Sequence, residues 1–318
     1  MSGAQPSTSG GSGARPAGTK VTDLSRAIAE HVRDGDLVYL TGWTGLEPHA
    51  AMHEIIRQRR RDLVLARANV NLLVDQAVAA GVARKLIFSY AGLAGVGLLG
   101  PARYAIENAR IEWEEYTHYQ LLARLYAGAA KLPFFPLRSG LGTDLAKVNS
   151  AIRTITCPYS GETLSVVPPL NPDVTIVHAQ RADREGNLHV WGVIGDIREA
   201  VFASKKVIAT VEEIVDESVI RSDPNRTIVP GFMVDALVLS PWGAHPSFAQ
   251  GYYDRDNGAY FDWDAKCRDE DAVAMYLKEW IYDVPDRNAY MKKLSAEKLL
   301  SLKVRPYYST PVDFGRID

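Results

Sequence analysis

The sequence predicts an α/β fold with a parallel-sheet core, helices on both faces of the sheet, a β-rich later half and a wrapping C-terminal segment. Three observations support this prediction. Short apolar strands alternate with amphipathic helices from Val21 to about residue 92, which is typical of parallel sheets. After about residue 150, β-rich segments are separated by turn residues. From Gln250 onward the chain is rich in Tyr, Asp and Gly, with two helical stretches.

The first elements follow from the spacing of apolar residues and from capping residues. Thr22 or Asp23 can cap a helix whose Leu24, Ala27 and Ile28 lie on one face. Further strands are predicted at Leu37–Leu40, Asp62–Ala66 and Lys85–Ser89, and further helices from Pro48 and at Asn71–Ala80.

The later elements are a long helix and a series of strands. The helix is predicted from about Tyr119 to Lys131, with Leu122, Leu125 and Tyr126 among its apolar positions. The strands are predicted at Ile152–Thr156, Leu164–Val167, Val174–His178, Leu188–Trp191, Lys206–Val211 and Val234–Leu239. We therefore expect a disordered tail at 1–20, one domain at 21–250, and a C-terminal extension at 251–318 that packs on it.

Composition and charge exclude several classes of function. A formal net charge of −2 provides no basic field for nucleic acid. No segment reaches the roughly 20 apolar residues of a membrane span. The stretch Met1–Lys20 is rich in Ser, Gly, Ala and Pro, and is predicted to be a disordered tail and not a signal peptide. Cys157 and Cys267 are too few for a disulfide framework, so we expect reduced thiols in a cytoplasmic protein.

Two turns that follow predicted strands are candidate ligand sites, because open α/β sheets bind ligands at the carboxyl ends of their strands. A strand that ends in Gly-aromatic-x-Gly can turn backbone N–H groups toward an acyl or phosphate oxygen. A plain strand-to-helix turn would give the same pattern. The candidate residues are Gly42, Trp43, Thr44 and Gly45 in the first turn, and Ser89, Tyr90 and Gly92 in the second.

A cluster of acidic and aromatic residues lies where another strand meets the long helix. Glu112 and Glu114 alternate as on one face of a strand, and Glu115 and His118 come at the junction. Such a junction can bring an acid and an imidazole to a reaction centre. Acidic residues are also favoured at a helix N-terminus by its dipole, and that structural alternative is equally open.

Arg138 lies beside the glycine-rich stretch that contains Gly142. An arginine next to such a turn can bind a substrate carboxylate bidentately. Alternatively, Arg138 is tied to Asp144 within the loop. The histidines show no metal-ligand spacing, so no metal site is predicted, and His178, at the end of an apolar strand, is expected to be a hydrogen-bonded core residue.

The first turn and its flanks carry a resemblance to a known family. Asp34-Gly35, three apolar residues, Thr41-Gly42-Trp43 and Pro48 together resemble the alpha-subunit signature of family I CoA-transferases. In that signature, Gly-Gly-Phe precedes a Gly-x-Pro. Here Thr41 replaces the first glycine, Trp43 the phenylalanine and Glu47 the glycine near the proline.

Collinear segments extend the resemblance over about residues 20 to 250, in the order of the glutaconate CoA-transferase alpha branch. They are Arg61–Leu65, Ile111–His118, Leu132–Arg138, Gly140–Asp144, Asp173–Gln180, Ala182-Asp183, Gly186-Asn187, Val234–Ala236 and Pro241–Pro246. The resemblance implies a CoA-transferase-like (NagB/RpiA-type) fold and an enzyme that moves CoA between an acyl-CoA and a carboxylic acid.

In this family a glutamate of the beta-type subunit, within Ser-Glu-Asn-Gly, attacks the thioester to give a mixed anhydride. No such motif occurs in this chain. The resemblance therefore implies a beta-type partner subunit, an α2β2 assembly, and coenzyme A thioester as substrate with no permanently bound cofactor. Ser89–Gly92 follows a strand as the beta motif does, and Tyr90 would stand in place of the glutamate.

Two alternatives remain open. The ring-cleaving acyl-CoA hydrolases of steroid breakdown also resemble this chain, but their alpha subunit has an acidic catalytic residue where His118 stands here. A hydrolase would replace the acceptor acid with water. Sugar-phosphate-sensing regulators resemble the same fold and would make the chain a non-catalytic ligand sensor. They carry an N-terminal helix-turn-helix, for which the expected disordered tail leaves no room.

Overall fold

The computed structural model describes residues 20–304. The strands are β1 Val21–Thr22, β2 Leu37–Leu40, β3 Leu63–Ala66, β4 Asn69–Val70, β5 Ala83–Phe88, β6 Tyr90–Ala91, β7 Glu112–Glu115, β8 Phe135–Leu137, β9 Arg153–Thr156, β10 Thr163–Val167, β11 Val174–Ala182, β12 Leu188–His189, β13 Lys206–Ile214, β14 Thr227–Val229 and β15 Ala236–Leu239. The helices are α1 Leu24–His31, α2 His49–Arg57, α3 Leu72–Ala79, α4 Pro101–Glu107, α5 His118–Ala129, α6 Leu145–Val148, α7 Ile197–Ala203, α8 Glu217–Arg221, α9 Asn257–Lys266, α10 Glu270–Leu277, α11 Arg287–Lys293 and α12 Ala296–Leu302.

The main sheet has 10 strands and is mostly parallel. Its path runs β1-β15-β13-β11-β2-β3-β5-β7, with every neighbouring pair parallel. Off this path, β12 pairs antiparallel with the end of β11, and β14 pairs antiparallel with β12. From β2 the chain builds outward through β3, β5 and β7, and then returns to the other side of β2 with β11. The strand order therefore reverses between β2 and β11, and ligands of open α/β sheets bind at such a point.

Both faces of the sheet are covered by helices, as the sequence predicts. Side chains alternate along β2, so Val38 and Leu40 enter one core while Tyr39 enters the other. Helices α1–α4, α9 and α10 contribute to the first core. Helices α5 and α7 cover the opposite face. The predicted parallel-sheet core with helices on both faces is confirmed.

The predicted strands and helices up to residue 240 all occur, with shifts of a few residues at their ends. The C-terminal segment differs, because the sequence predicts two helical stretches and the structure has α9, α10, α11 and α12 with a π-helical turn at Lys278–Tyr282. The prediction was wrong because these helices are short and begin at local caps, such as Asp286 and Ser295, and not at a long apolar period.

The structure describes only parts of the predicted N-terminal tail and C-terminal extension. Residues 1–19 and 305–318 lie outside the described range, so the predicted tail is described only at Lys20 and the predicted extension only to Val304. Within that extension, Tyr260, Trp263 and Ile281 are buried in the same core as α1–α4. Among residues 20–304, no helix has the length and apolar character to cross a membrane.

Candidate functional site

The turn after β2 has an unusual backbone. Gly42 has a φ of 98°, and the non-glycine residues Thr44 and Leu46 have φ values of 61° and 54°. A Cβ on Gly42 would lie 2.7 Å from the carbonyl oxygens of both Gly45 and Leu46, and a Cβ on Gly45 would meet the Phe248 ring at 2.4 Å. Positive φ angles at non-glycine residues cost energy and persist only where the surroundings impose them.

The surroundings that impose this turn centre on Arg67, the residue that follows β3. Its side chain is 1% exposed. Its guanidinium donates hydrogen bonds to the carbonyl oxygens of Leu40 (3.2 Å), Thr41 (2.6 Å), Gly42 (2.9 Å) and Asn69 (2.7 Å). One buried cation thus holds three consecutive carbonyls at the carboxyl end of β2.

Glu47 neutralises this cation. Its carboxylate lies 2.8 Å from the Arg67 guanidinium, accepts a hydrogen bond from Asn71 at 2.6 Å and lies 3.2 Å from the ring of His49. Burial alone would raise the pKa of Glu47, but Arg67 and His49 outweigh it and lower that pKa to about 2. Glu47 is therefore a buried counterion of the turn.

Trp43 joins the turn to the predicted acid–imidazole junction. Its ring meets the ring of His118, at the start of α5, edge-on with centroids 4.8 Å apart. Burial lowers the pKa of His118, so its ring is neutral at neutral pH. Two regions that are about 75 residues apart in the chain therefore form one rim at the carboxyl ends of the strands.

Glu115 ends β7 and is half-buried. Its carboxylate makes no hydrogen bond or ion pair with any other residue of the described range 20–304, and only its backbone carbonyl is bound, by the Asn149 amide at 2.9 Å. Its neighbour Glu114 differs, because its carboxylate pairs with Lys85 at 2.6 Å and Arg124 at 3.0 Å. Glu114 is structural, whereas Glu115 has an acid group that is available for another molecule.

The second predicted turn is tied to the first through β4. The Ser89 hydroxyl donates to the carbonyl of Ala68 at 2.6 Å, and Tyr90 pairs with Asn69, whose carbonyl Arg67 holds. The Tyr90 side chain is 43% exposed and lies over Gly92, where a Cβ would be 2.6 Å from the phenol oxygen. The structure places this turn between the turn after β2 and the β7–α5 junction in strand order.

Arg138 is not tied to Asp144, so that alternative from the sequence was wrong. It is 79% exposed and pairs with Glu162 at 2.8 Å, while Asp144 pairs with Lys147 at 2.6 Å. The antiparallel pairing of β8 with β10 brings Arg138 and Glu162 together. The loop nevertheless reaches the rim, because the Ser139 and Thr117 hydroxyl oxygens are 2.8 Å apart, directly before His118. Gly142 has a φ of 77° and faces open space.

Most histidines of residues 20–304 are buried, whereas His118 lies at the exposed rim. His178 is buried with its two ring nitrogens bonded to Thr210 at 2.8 Å and Glu212 at 2.7 Å, so it is the hydrogen-bonded core residue that was expected. In the part of the chain that the structure describes, no three His, Cys, Asp or Glu side chains are grouped as metal ligands.

Sequence reasoning missed Asp196, which lies at the start of α7 beneath the rim. Its carboxylate is 3% exposed and accepts a hydrogen bond from the Tyr39 hydroxyl. Burial raises the pKa of Asp196 to about 6. The preceding Gly195 packs on Trp43, since a Cβ there would be 3.0 Å from the Trp43 Cβ. The signal that could have revealed it is Gly192-x-x-Gly195-Asp196 after the strand at 188.

Buried His245 makes folding sensitive to pH. Its ring bonds Tyr290 at 3.0 Å and Asp256 at 3.1 Å, and burial lowers its pKa from 6.5 to about 4. Between these values the unfolded chain binds a proton that the folded chain does not, so stability is complete above pH 6.5 and falls as the pH drops. Burial would raise the pKa of Asp256, but His245 and Lys298 lower it to about 2, so Asp256 stays ionised across the window.

We expect His245→Gln, which keeps a hydrogen-bonding side chain but does not titrate, to flatten this dependence. From pH 6.5 to 4, the free energy of unfolding of the wild type should fall relative to the variant by about 1.4 kcal/mol per pH unit. Urea unfolding at a series of pH values measures the difference. Parallel curves for the two proteins would contradict the assignment to His245.

The chain matches a known family and several relatives. The family model described as Coenzyme A transferase matches residues 21–240. The chain is 44% identical over 278 residues to the A subunit of 3-oxoadipate CoA-transferase from Pseudomonas knackmussii, covering 86% of this chain and 98% of that one. It is 33% identical to the A subunit of glutaconate CoA-transferase from Acidaminococcus fermentans, covering 94% and 99%.

The three-dimensional structure is also similar to that of a solved relative. The crystal structure of glutaconate coenzyme A-transferase from Acidaminococcus fermentans superposes with a TM-score of 0.86 at 33% identity, over 91% of this chain and 96% of that chain. The similarity extends past the last residue matched by the family model, at 240, into the C-terminal helices.

Proposed function

The chain belongs to the coenzyme A transferase family, and from this premise we propose that it forms one side of an active site whose attacking carboxylate comes from a beta-type subunit. It is an alpha-type subunit that acts in moving CoA between an acyl-CoA and a carboxylic acid. The observation that carries the proposal is the contact between Trp43 and His118, which joins the two regions expected to line the site.

The Gly42 turn is assigned to bind the oxygen of the thioester. A trans peptide points the carbonyl of one residue and the N–H of the next in opposite directions. Because Arg67 holds the carbonyls of Thr41 and Gly42 inside, the N–H groups of Gly42 and Trp43 point away from the guanidinium. Fixed N–H donors of this kind stabilise the oxyanion of an acyl-transfer intermediate.

The reaction proceeds through balanced exchanges. The partner's carboxylate oxygen attacks the thioester carbon, the C–S bond breaks, and CoA leaves as a thiolate with an acyl–carboxylate anhydride formed. The thiolate then attacks the carbonyl carbon of the partner's own carboxyl group, which forms an enzyme thioester and releases the first acid. The acceptor acid then attacks the enzyme thioester, which releases the CoA thiolate and forms a second anhydride. The thiolate attacks the acyl carbon of that anhydride, so the new acyl-CoA leaves and the partner's carboxylate is restored.

Glu115 and His118 are assigned supporting roles in this reaction. The Glu115 carboxylate, which has no partner within residues 20–304, can accept a hydrogen bond from the substrate or the second subunit. The neutral His118 ring, held against Trp43, can donate one hydrogen bond and accept one. We further propose that Ser89, Tyr90, Gly92 and Gly142 line the substrate passage, and that Arg138 exchanges Glu162 for a substrate anion.

The proposal includes an α2β2 assembly, a CoA thioester that binds as substrate and not as a resident cofactor, and a cytoplasmic location. The unpaired thiols of Cys157 and Cys267 support that location, because disulfides are rare in the cytoplasm. The acyl group moved by this chain is proposed to be that of a dicarboxylic acid, since the relatives at 44% and 33% identity are named for 3-oxoadipate and glutaconate.

Co-expression with the product of the adjacent reading frame tests the proposal. We expect CoA exchange between acyl-CoA and free acid only when both chains are present, and Glu115→Gln should lower kcat/KM at least about tenfold. The control is Glu112→Gln, three residues earlier in β7 and 68% exposed, which should keep full activity.

Two results would contradict this assignment. CoA exchange by this chain alone would contradict an active site that is shared between two subunits. Consumption of acyl-CoA that releases only free CoA and acid, whatever acceptor acid is added, would make the complex a hydrolase.

A further inference from the structure

Helix α5 presents an apolar surface to solvent. Tyr119, Leu122 and Tyr126 are 55%, 36% and 51% exposed and are spaced by three and four residues, so they lie on one face of the helix. We call these three residues the α5 stripe. Exposed residues of a solvated helix are normally polar or charged, and none of these is charged.

The absence of charge distinguishes α5 from the other surface helices. Its only charged residue is Arg124, which is 7% exposed and turns inward to Glu114 and the carbonyl of Pro168. Exposed ion pairs four residues apart occur on α1, α4, α8 and α9, namely Arg26–Glu30, Arg103–Glu107, Arg221–Glu217 and Lys266–Asp262. The α5 stripe thus lacks the feature that keeps those helices solvated.

The apolar surface continues beyond the helix. The Tyr126 ring meets Phe135 of β8 edge-on at 5.6 Å, and Leu132 and Phe134 between them are 39% and 41% exposed. Contiguous apolar surfaces of this kind are typical of contact sites between proteins, where tyrosine is enriched and charged residues are depleted.

We propose that the α5 stripe is the surface on which the beta-type subunit docks. This inference rests on the proposed function, because it takes the second subunit as the source of the attacking carboxylate. The stripe begins at Tyr119, directly after His118, whose ring forms the rim with Trp43. Tyr126, the far end of the stripe, lies about 12 Å along the helix from His118. A chain that delivers a carboxylate to this rim is therefore close enough to cover the stripe.

The geometry also accounts for the unpartnered Glu115. It lies at the other side of the short Tyr116-Thr117 connection that leads into α5, so a subunit seated on the stripe reaches Glu115 and His118 together. Docking there therefore buries the apolar residues and supplies a donor for the free carboxylate in one event.

The test introduces charge into the stripe of the full-length chain. Leu122→Glu with Tyr126→Glu should weaken the complex with the beta-type subunit at least about 100-fold in Kd, because buried charges without partners are strongly unfavourable at an interface. The matched control is Tyr104→Glu on α4, a 46% exposed tyrosine on the opposite face of the sheet, which should leave Kd unchanged. Titration calorimetry gives Kd, and light scattering gives the mass.

An unchanged Kd in the double variant would overturn the proposal. The proposal would also be overturned if the double variant still bound the beta-type subunit and lost only a contact between two copies of this chain. The stripe would then be an interface between two copies of this chain. If the double variant does not fold, as shown by circular dichroism of the isolated chain, Leu122→Ser with Tyr126→Ser replaces it. At least about tenfold weaker binding is then expected, and again an unchanged Kd overturns the proposal.

The wild-type complex separates this inference from the proposed function. Suppose that the wild-type chains form a complex that exchanges no CoA, and that the charged variant disrupts this complex. The catalytic assignment would then be wrong, while the docking surface would be supported. If the charged variant instead remains in an active complex, the docking surface would be wrong and the catalytic assignment would be supported.

Discussion

Arg67→Met is expected to lower the free energy of unfolding by about 3–5 kcal/mol, because removing one partner of a buried ion pair leaves the other charge uncompensated. The remaining charge is Glu47, which is fully buried. Four backbone carbonyls also lose their donor, and a buried acceptor without a partner is costly. Methionine keeps an unbranched side chain of similar length, so loss of packing is a minor part of the effect.

Urea unfolding of wild type and variant measures this loss. The control is Arg61→Met, which removes an arginine six residues earlier that is 75% exposed and pairs with Asp34 at 3.3 Å. Exposed ion pairs contribute about 0–1 kcal/mol, so this variant should remain close to the wild type. Equal effects for the two substitutions would show that the bonds of Arg67 do not hold the turn.

Gly42→Ala is expected to reduce CoA exchange by at least about 100-fold, the scale of removing an oxyanion donor. The new Cβ would lie 2.7 Å from two carbonyl oxygens of the same turn, neither of which is the end of a flexible side chain. The φ of 98° adds strain for any residue with a side chain. The turn must therefore change its backbone, and the N–H groups of Gly42 and Trp43 move with it.

Gly81→Ala is the matched control for Gly42→Ala. Gly81 also has a positive φ, 70°, but a Cβ there meets no atom within 4 Å, and the residue lies before β5 and not at the carboxyl ends of the strands. It should cost only the conformational strain, about 1–2 kcal/mol, and leave the turn after β2 in place. Comparable kcat/KM values for Gly42→Ala and the wild type would rule out an essential role for this turn.

The fold could be predicted from the sequence because its signals are local. The apolar runs of β2 and β3 and the spacing of Leu24, Ala27 and Ile28 in α1 each specify an element within a few residues. Parallel strands then bring their carboxyl ends to one edge, so the turn at Gly42 and the junction at His118 could be expected on the same side.

The rest of the site depends on contacts between distant residues. In the sequence, Arg67 is one more arginine near a basic run, and only the pairing of β2 with β3 places it under three carbonyls at the end of β2. Arg138 finds Glu162 because of the register of β8 with β10, which the sequence does not specify. Asp196 meets the Tyr39 hydroxyl only because the start of α7 packs beneath Trp43. The number of C-terminal helices was missed for a different reason, since each is short and begins at its own local cap.

The reversal of strand order beside β2 has a consequence for biosynthesis. Once Leu63–Ala66 has left the ribosome, β2 has a neighbour on one side. Its other edge stays open until β11 emerges, since the partner of Thr41 is Ile176, 135 residues later. At typical translation rates that interval is roughly 10 s. During that time the nascent chain has an apolar strand edge without its partner, and such an edge can pair with the wrong strand.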